Sequence, residues 1–221
     1  SPAVSPTGGT VYVGSSDSRF YGVVAVSGIQ KFAISSSGPV LSTPAVSRNG
    51  SVVYVGSRAN KILAVAVERA SLGRGECPGT SGTTGYLDVW HSVCASSKFE
   101  TFEIGGFIQP TSVVSPDGDT VYLSSWDNKV FAVDAKTKAH KWTFETSGAV
   151  VSSPMLSPDG TRVFVGSRDK KIYAVGAVAG VKIWEFSTGG AIVSSPVLNA
   201  QGSKVYVGSR DKKLYALYAD S

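Results

Sequence analysis

The chain has 221 residues, of which 42% are hydrophobic, and its formal net charge is +5 at neutral pH. This length and apolar content allow a single domain to bury a complete core, and no apolar run approaches the roughly 20 residues that span a bilayer. The first residues, Ser1-Pro2-Ala3-Val4, lack the charged and apolar regions of a signal peptide, so we expect the sequence to be already processed or part of a longer protein.

The sequence is built from a repeated unit. A five-residue motif similar to Val-Tyr-Val-Gly-Ser occurs five times. Its fourth residue is Gly14, Gly56, Ser124, Gly166 and Gly208, and successive copies are 42, 68, 42 and 42 residues apart. The longer interval indicates an insertion of 26 residues in an otherwise constant unit. Five repeats therefore fill one predicted domain, at approximately residues 1–41, 42–108, 109–151, 152–193 and 194–221.

Each complete repeat predicts four short strands. The first two are joined by a turn that contains glycine, at Gly8, Gly50, Gly118, Gly160 and Gly202. Asp-Gly and Asn-Gly pairs at three of these turns tolerate the positive φ of tight hairpins. The second and third strands alternate β-branched and aromatic residues, as in Val53-Tyr54-Val55, and the fourth carries aromatics such as Trp142 and Trp184. The fifth repeat ends before a fourth strand, which gives 19 predicted strands.

Four antiparallel strands in about 40 residues, repeated with turn signals between them, are typical of a β-propeller. A helical solenoid would show an apolar period of about 3.6 residues instead. We interpret the recurring aromatic residues as side chains that pack between neighbouring blades, rather than as rings that stack against a bound cofactor. The predicted fold is all-β, with five blades of which the last lacks its fourth strand, or with these blades as part of a larger ring of seven or eight.

A family resemblance follows from residues 132–142, whose sequence is AVDAKTKAHKW. This segment resembles the tryptophan-docking repeat of pyrroloquinoline quinone (PQQ)-like propellers. The same spacing recurs at Ala174, Gly180 and Trp184, and a weaker form occurs in the first repeat. Two positions depart from the pattern: Glu100 stands where tryptophan is usual in the second repeat, and Lys138 replaces a usual glycine. The resemblance implies the fold rather than one activity, since such propellers include dehydrogenases, assembly lipoproteins and sensor domains.

The dehydrogenase branch would require a carboxylate base, calcium ligands and an adjacent pair of cysteines. The chain has no Cys-Cys pair, its acidic residues lie mostly in predicted turns, and no cluster has metal-ligand spacing. The two histidines, His91 and His140, have no nucleophile at an identifiable spacing. The sequence therefore predicts a protein that is not an enzyme and that binds no metal or cofactor.

The turns between the second and third strands carry most of the positive charge. In a propeller these turns share a face with the crossings between blades. They contain ten bases, of which the most prominent candidates for partner binding are Arg58, Lys129, Arg168, Lys170, Arg210 and Lys212. Four acids, Asp17, Asp127, Asp169 and Asp211, reduce their sum to +6, against +5 for the whole chain. Such a face would attract an acidic protein, an anionic glycan, lipid headgroups or, least favoured, nucleic acid. The alternative is a solvated turn that was copied with the repeat.

The insertion, at about residues 68–97, falls between the third and fourth strands of the second repeat and should project from the opposite face. It contains Cys77 and Cys94, the two cysteines of the chain, which would form a disulfide in an oxidising compartment or remain free thiols. The disulfide would favour an exported, periplasmic, extracellular or organellar location. Extra loops on repeat scaffolds often bind partners, and the candidate contact residues are Tyr86, Leu87, Val89 and Trp90.

The combined expectation is a scaffold for protein interaction or assembly. Two alternatives remain open. A ligand-binding or glycan-binding propeller should show a repeated pocket of aromatic and polar residues, and a sensory or regulatory segment of a multidomain enzyme would belong to a longer chain.

Overall fold

The computed structural model describes residues 1–59, 61–67, 99–103, 112–137 and 139–220, with residues 99–103 described by their backbone alone. These residues form strands and turns, and no helix occurs among them. The described residues contain nineteen strands in five separate sheets, which we call blades 1 to 5. The all-β prediction and the strand count are confirmed.

The strands of each blade follow one another along the chain. Blade 1 contains β1 (Ala3–Val4), β2 (Thr10–Gly14), β3 (Arg19–Val24) and β4 (Gln30–Ser35). Blade 2 contains β5 (Ala45–Val46), β6 (Val52–Ser57), β7 (Lys61–Ala66) and β8 (Phe99–Glu103). Blade 3 contains β9 (Val113–Val114), β10 (Thr120–Ser124), β11 (Lys129–Asp134) and β12 (His140–Glu145). Blade 4 contains β13 (Met155–Leu156), β14 (Arg162–Gly166), β15 (Lys171–Gly176) and β16 (Lys182–Ser187). Blade 5 contains β17 (Val197–Leu198), β18 (Lys204–Gly208) and β19 (Leu214–Tyr218).

Every blade is an antiparallel meander, because each strand pairs with the next one in sequence. The glycine that follows the first strand has a positive φ in all five blades, between 71° and 81°. A residue with a Cβ rarely adopts this conformation, so the predicted turn glycines are confirmed. Blade 5 has three strands in the described part of the chain.

The core lies between blades rather than within one sheet. The second strand of each of the first four blades places a buried aromatic ring near its centre, at Tyr12, Tyr54, Tyr122 and Phe164. Each ring belongs to an apolar cluster shared with a neighbouring blade. Blades that bury their faces against one another in this way are the defining arrangement of a propeller.

The fourth-strand tryptophans dock onto the following blade. Trp142 donates from Nε1 to the Ala177 carbonyl at 2.9 Å, and Trp184 donates to the Ala219 carbonyl at 3.1 Å. Glu100 lies opposite Ala64 in the register at which the other blades place their aromatic residue, as the sequence predicted. The second unusual position, residue 138, lies outside the described residues.

The crossings, which lead from the last strand of one blade to the first strand of the next, hold both blades. On blade 4, the buried Ile192 packs over Gly166, where an added Cβ would overlap the isoleucine side chain. Two residues later, Ser194 Oγ donates to the Gly208 carbonyl of blade 5 at 2.8 Å and accepts from the Gly208 N–H at 2.9 Å. Ser152 makes the same pair of bonds with Gly166. Gly166 is therefore required by the close approach of the crossing.

Candidate interaction surface

The turns after the second strands do lie beside the crossings. The N–H of Arg58 donates to the Pro39 carbonyl of the preceding crossing at 2.9 Å. Arg168 bonds to the Ala149 carbonyl at 3.0 Å, and Arg210 has an equivalent bond to Ala191. We call the surface formed by the turns at residues 15–19, 57–61, 125–129, 167–171 and 209–213 the basic face. These hydrogen bonds fix the backbone of the turns to the neighbouring crossings.

Four of these turns, those of blades 1, 3, 4 and 5, are short hairpins with a residue in the left-handed conformation, and in blade 1 this residue is Ser18. In blade 4, the N–H of Ser167 donates to the Lys171 carbonyl at 2.9 Å, and Lys170 has φ of 73°. This is a three-residue loop whose last residue is left-handed. Asn128 occupies that position in blade 3, and Lys212, with φ of 69°, occupies it in blade 5. Asparagine tolerates this conformation, whereas lysine is rare there, so the two lysine turns carry backbone strain.

Two acids of the basic face, Asp169 and Asp211, turn toward the crossings. Asp169 Oδ2 accepts hydrogen bonds from Tyr173 Oη at 2.6 Å and from the Ser147 N–H at 3.0 Å. Asp211 Oδ2 accepts from Tyr215 Oη at 2.6 Å and from the N–H of Gly189 at 2.8 Å. These carboxylates are therefore used to join the turn to the crossing from the preceding blade.

The pKa values of these partners agree with the geometry. Burial, and then the hydrogen bond to Asp169, raise the pKa of Tyr173 well above its ordinary value. The hydrogen bond from Tyr215 lowers the pKa of Asp211. Sequence reasoning missed these pairs, although an Asp followed four residues later by Tyr recurs in blades 1, 4 and 5 and could have revealed them.

Some bases of the same turns form ion pairs with acidic residues of the fourth strands. Lys129 is paired with Glu145 at 3.3 Å, and Lys171 is paired with Glu185 at 2.6 Å, so part of the predicted charge excess is balanced by the fourth strands. In contrast, the exposed side chains of Lys170, Arg210 and Lys212 have no ion pair within the ranges that the structure describes.

Arg168 has an aromatic neighbour rather than an acidic one. Its guanidinium carbon lies 4.5 Å from the ring centroid of Trp126, which belongs to the adjacent blade 3 turn. Such a contact orients the arginine without neutralising its charge. The exposed bases of the basic face on blades 4 and 5 are Arg168, Lys170, Arg210, Lys212 and Lys213, and blades 1 and 2 add the exposed Arg19 and Arg58.

The other candidate surface cannot be built from the described residues. The predicted insertion, at about residues 68–97, belongs in sequence to the interval between β7 and β8 and lies outside the described residues. Cys77, Cys94, Tyr86, Leu87, Val89 and Trp90 all lie outside the described residues. The disulfide and the contact residues of the insertion remain predictions.

No group of three or more His, Cys, Asp or Glu side chains that could hold a metal ion occurs in the described ranges. His140 lies on the outer strand β12, where its Nε2 is 2.6 Å from Thr143 Oγ1. Among the same residues, no helix is long and apolar enough to cross a membrane.

Comparison with known proteins places these features in a family. No curated protein sequence matches the chain. The solved crystal structure of BamB from Moraxella catarrhalis is similar with a TM-score of 0.74 and 16% sequence identity. The similarity covers 98% of this chain but 57% of the BamB chain, and at this identity it shows the fold alone. A sequence family described as outer membrane protein assembly factor BamB matches residues 80–221, well over half of the chain. The chain therefore belongs to this family of PQQ-like repeat β-propellers.

Proposed function

We propose that the chain is a non-enzymatic scaffold for protein interaction or assembly, and that it binds an acidic protein surface through the basic face. The family description, an assembly factor, supports the general role. The observation that supports the particular surface is the set of exposed cations on two adjacent turns, Arg168 with Lys170 and Arg210 with Lys212, which have no acidic partner among the described residues.

The arrangement favours binding in two ways. First, the carboxylates of the two turns point toward the crossings and accept hydrogen bonds there, so the outermost side chains are the basic ones. Second, the turns are fixed to the blades by backbone hydrogen bonds at Arg168 and Arg210, so little conformational entropy is lost from the backbone on binding. Exposed complementary charge mainly increases the association rate and selects the partner.

An acidic protein fits these turns better than a single-stranded nucleic acid does. Binding of a single strand combines basic residues with aromatic rings that stack on successive bases. Trp126 is the one aromatic residue within the five turns, and the Arg168 guanidinium already covers its ring. The insertion supplies a second, independent contact in this proposal, through Tyr86, Leu87, Val89 and Trp90.

Charge reversal tests the basic face. Lys212→Glu, Lys170→Glu and the double variant are compared with Arg48→Glu, which makes the same change at an exposed arginine in the turn between β5 and β6, on the opposite face. A photoreactive residue at position 210 captures partners in extracts of the native source, and mass spectrometry identifies the cross-linked segments. We expect the cross-linked segments to be acidic. Capture should decrease in the single charge-reversal variants and decrease further in the double variant, and lowering the salt concentration should restore it.

Three results would contradict the proposal. These results are an equal reduction of capture by Arg48→Glu, cross-linked segments that lack acidic residues, and removal of the captured species by nuclease. Trp90→Ala tests the insertion separately. If this variant loses capture although its basic face is unchanged, the contact with the partner belongs to the insertion.

A further inference from the structure

The crossings present apolar side chains between the turns of the basic face. In the crossing from blade 4 to blade 5, Ile192 is completely buried, and Ser194 points into blade 5, where it bonds to Gly208. The residue between them, Val193, is 36% exposed, because consecutive residues of an extended backbone point in opposite directions. Val193 is therefore directed away from the blades and toward solvent.

The same alternation occurs in two other crossings. Val151 lies between two completely buried residues of the crossing from blade 3 to blade 4, and Leu41 lies between two buried residues of the crossing from blade 1 to blade 2. In the sequence, Gln109 occupies the equivalent position of the remaining crossing, outside the described residues. A single exposed aliphatic residue needs no explanation, but here such residues recur at one structural position beside the basic turns.

Two of these aliphatic residues flank the turn of blade 4. The N–H of Arg168 donates to the Ala149 carbonyl of the crossing that carries Val151, at 3.0 Å. On the other side of the turn, the crossing that carries Val193 bonds to the Ser167 carbonyl through the N–H of its preceding residue, at 3.0 Å. The turn that carries Arg168 therefore has one outward aliphatic side chain on each side.

Arg168 is also held by an aromatic ring. Its guanidinium carbon lies over the ring of the partly exposed Trp126, 4.5 Å from the centroid. A guanidinium held over an aromatic face presents its N–H groups in a fixed plane, which matches the two oxygens of a carboxylate. No acidic side chain pairs with Arg168 among the residues that the structure describes. We call Trp126, Val151, Arg168 and Val193 the Arg168 cluster.

We propose that the Arg168 cluster binds a short acidic segment of a partner protein in which a large apolar residue stands next to an aspartate or glutamate. The carboxylate binds the guanidinium of Arg168, and the apolar side chain packs against Val151 and Val193. Tryptophan and arginine are also the residue types that most often dominate the binding energy of an interface. This inference rests on the proposed function, since it requires an acidic partner at the basic face, and it adds that charge alone does not select that partner.

Two labelled synthetic peptides of equal charge test the requirement for an apolar residue. The first, EDELFDEG, has leucine and phenylalanine between its acidic residues, and the second, EDESSDEG, has serines in their place. Fluorescence anisotropy measures the dissociation constant of each peptide. We expect the first peptide to bind at least about tenfold more tightly, because its apolar side chains leave water on binding. The ratio of the two dissociation constants should persist at about 0.5 M salt, where attraction between exposed charges is screened.

Two double variants locate the apolar contact. Val151→Thr/Val193→Thr keeps the shape of both side chains and should weaken binding of the first peptide about fivefold, without an effect on the second. Val178→Thr/Val181→Thr makes the same change at two exposed valines in the turn between β15 and β16, on the opposite face, and should leave both peptides unaffected. All four positions are at least partly exposed, so thermal unfolding should change little.

A conservative pair of variants tests the arginine. Arg168→Lys keeps the positive charge but loses the planar guanidinium over Trp126, and it should weaken binding of the first peptide about fivefold. Arg210→Lys is the matched control, because Arg210 is equivalent to Arg168 one repeat later and contacts no aromatic ring within the described part of the chain. It should change binding little.

The Arg168 cluster and the basic face fail in different ways. Equal binding of the two peptides, equal effects of the two double valine variants, or equal effects of Arg168→Lys and Arg210→Lys would overturn the role of the cluster, while the basic face would still bind by charge. Binding of neither peptide would also overturn it. If Lys170→Glu weakens neither peptide, the basic face is not the binding surface, and both proposals are wrong.

Discussion

Gly166→Ala tests whether the crossings hold the blades together. A Cβ at Gly166 would overlap Cγ2 of Ile192 and lie 3.1 Å from its Cβ, and Ile192 is completely buried. Because a completely buried side chain in a close-packed core has little room to move, we expect the crossing to shift away from blade 4. Gly208 occupies the same position in blade 5, where the nearest atom to an added Cβ is Ser194 Oγ at 3.4 Å. The two glycines therefore form a matched pair with opposite expectations.

Overpacking of a well-packed core costs about 1–3 kcal/mol, which we expect for Gly166→Ala. For a domain of this size, a loss of this magnitude lowers the melting temperature by about 2–12 °C. Gly208→Ala should change the free energy of unfolding by less than about 0.5 kcal/mol, because its contact is an ordinary one. Urea unfolding, followed by tryptophan fluorescence, measures both variants under the same conditions.

A second substitution identifies the cause. Ile192→Ala removes the overlapping methyl group and by itself costs about 2–5 kcal/mol through the cavity that it leaves. The double variant Gly166→Ala/Ile192→Ala should be less destabilised than the sum of the single variants, because the new methyl group meets no Cγ2. Equal losses for Gly166→Ala and Gly208→Ala, or additive losses in the double variant, would refute the interlocking described here.

Three further predictions concern the turns and the crossings. Lys170→Asn should increase the free energy of unfolding by about 0.5–1 kcal/mol, since asparagine accepts a positive φ more readily; Lys213→Asn, outside the left-handed position, should not. Ser152→Ala should cost about 1–3 kcal/mol in urea unfolding, because it leaves the buried N–H and C=O of Gly166 without their hydroxyl partner. The pKa of Asp159 is lowered from 3.8 to about 2, mainly by a serine hydroxyl, so its ionised form adds stability that is complete above pH 3.8 and is lost as the pH falls toward 2. Asp159→Asn should therefore flatten the pH dependence of the urea midpoint in that interval, and an unchanged slope would argue against this assignment.

The repeat pattern predicts the strands well because each one is bounded by local turn chemistry. The turn glycines and the alternation of Val53-Tyr54-Val55 specify a hairpin within a few residues of sequence. The position of Glu100 could be predicted for the same reason, since register within a blade follows from counting along one repeat. Local patterns of this kind do not require knowledge of the neighbouring blade.

The crossings and the charge of the basic face could not be predicted in the same way. The contact of Ile192 with Gly166 joins residues that are 26 positions apart in sequence, and neither residue type by itself predicts such a contact. The charge count covered the turns alone and so did not include Glu145, which pairs with Lys129 from the fourth strand. The left-handed lysines were also unexpected, because glycine or asparagine is the usual signal for that conformation.

The crossings also have a consequence for the number of repeats. Ser152 and Ser194, one 42-residue unit apart, make the same two hydrogen bonds to the next blade. Removing or duplicating one whole unit between such equivalent points would bring matching surfaces together again, whereas a change of a few residues would misalign the serine and its glycine. The fold can therefore gain or lose length in whole blades, and its size is set by how many units are joined rather than by any single contact.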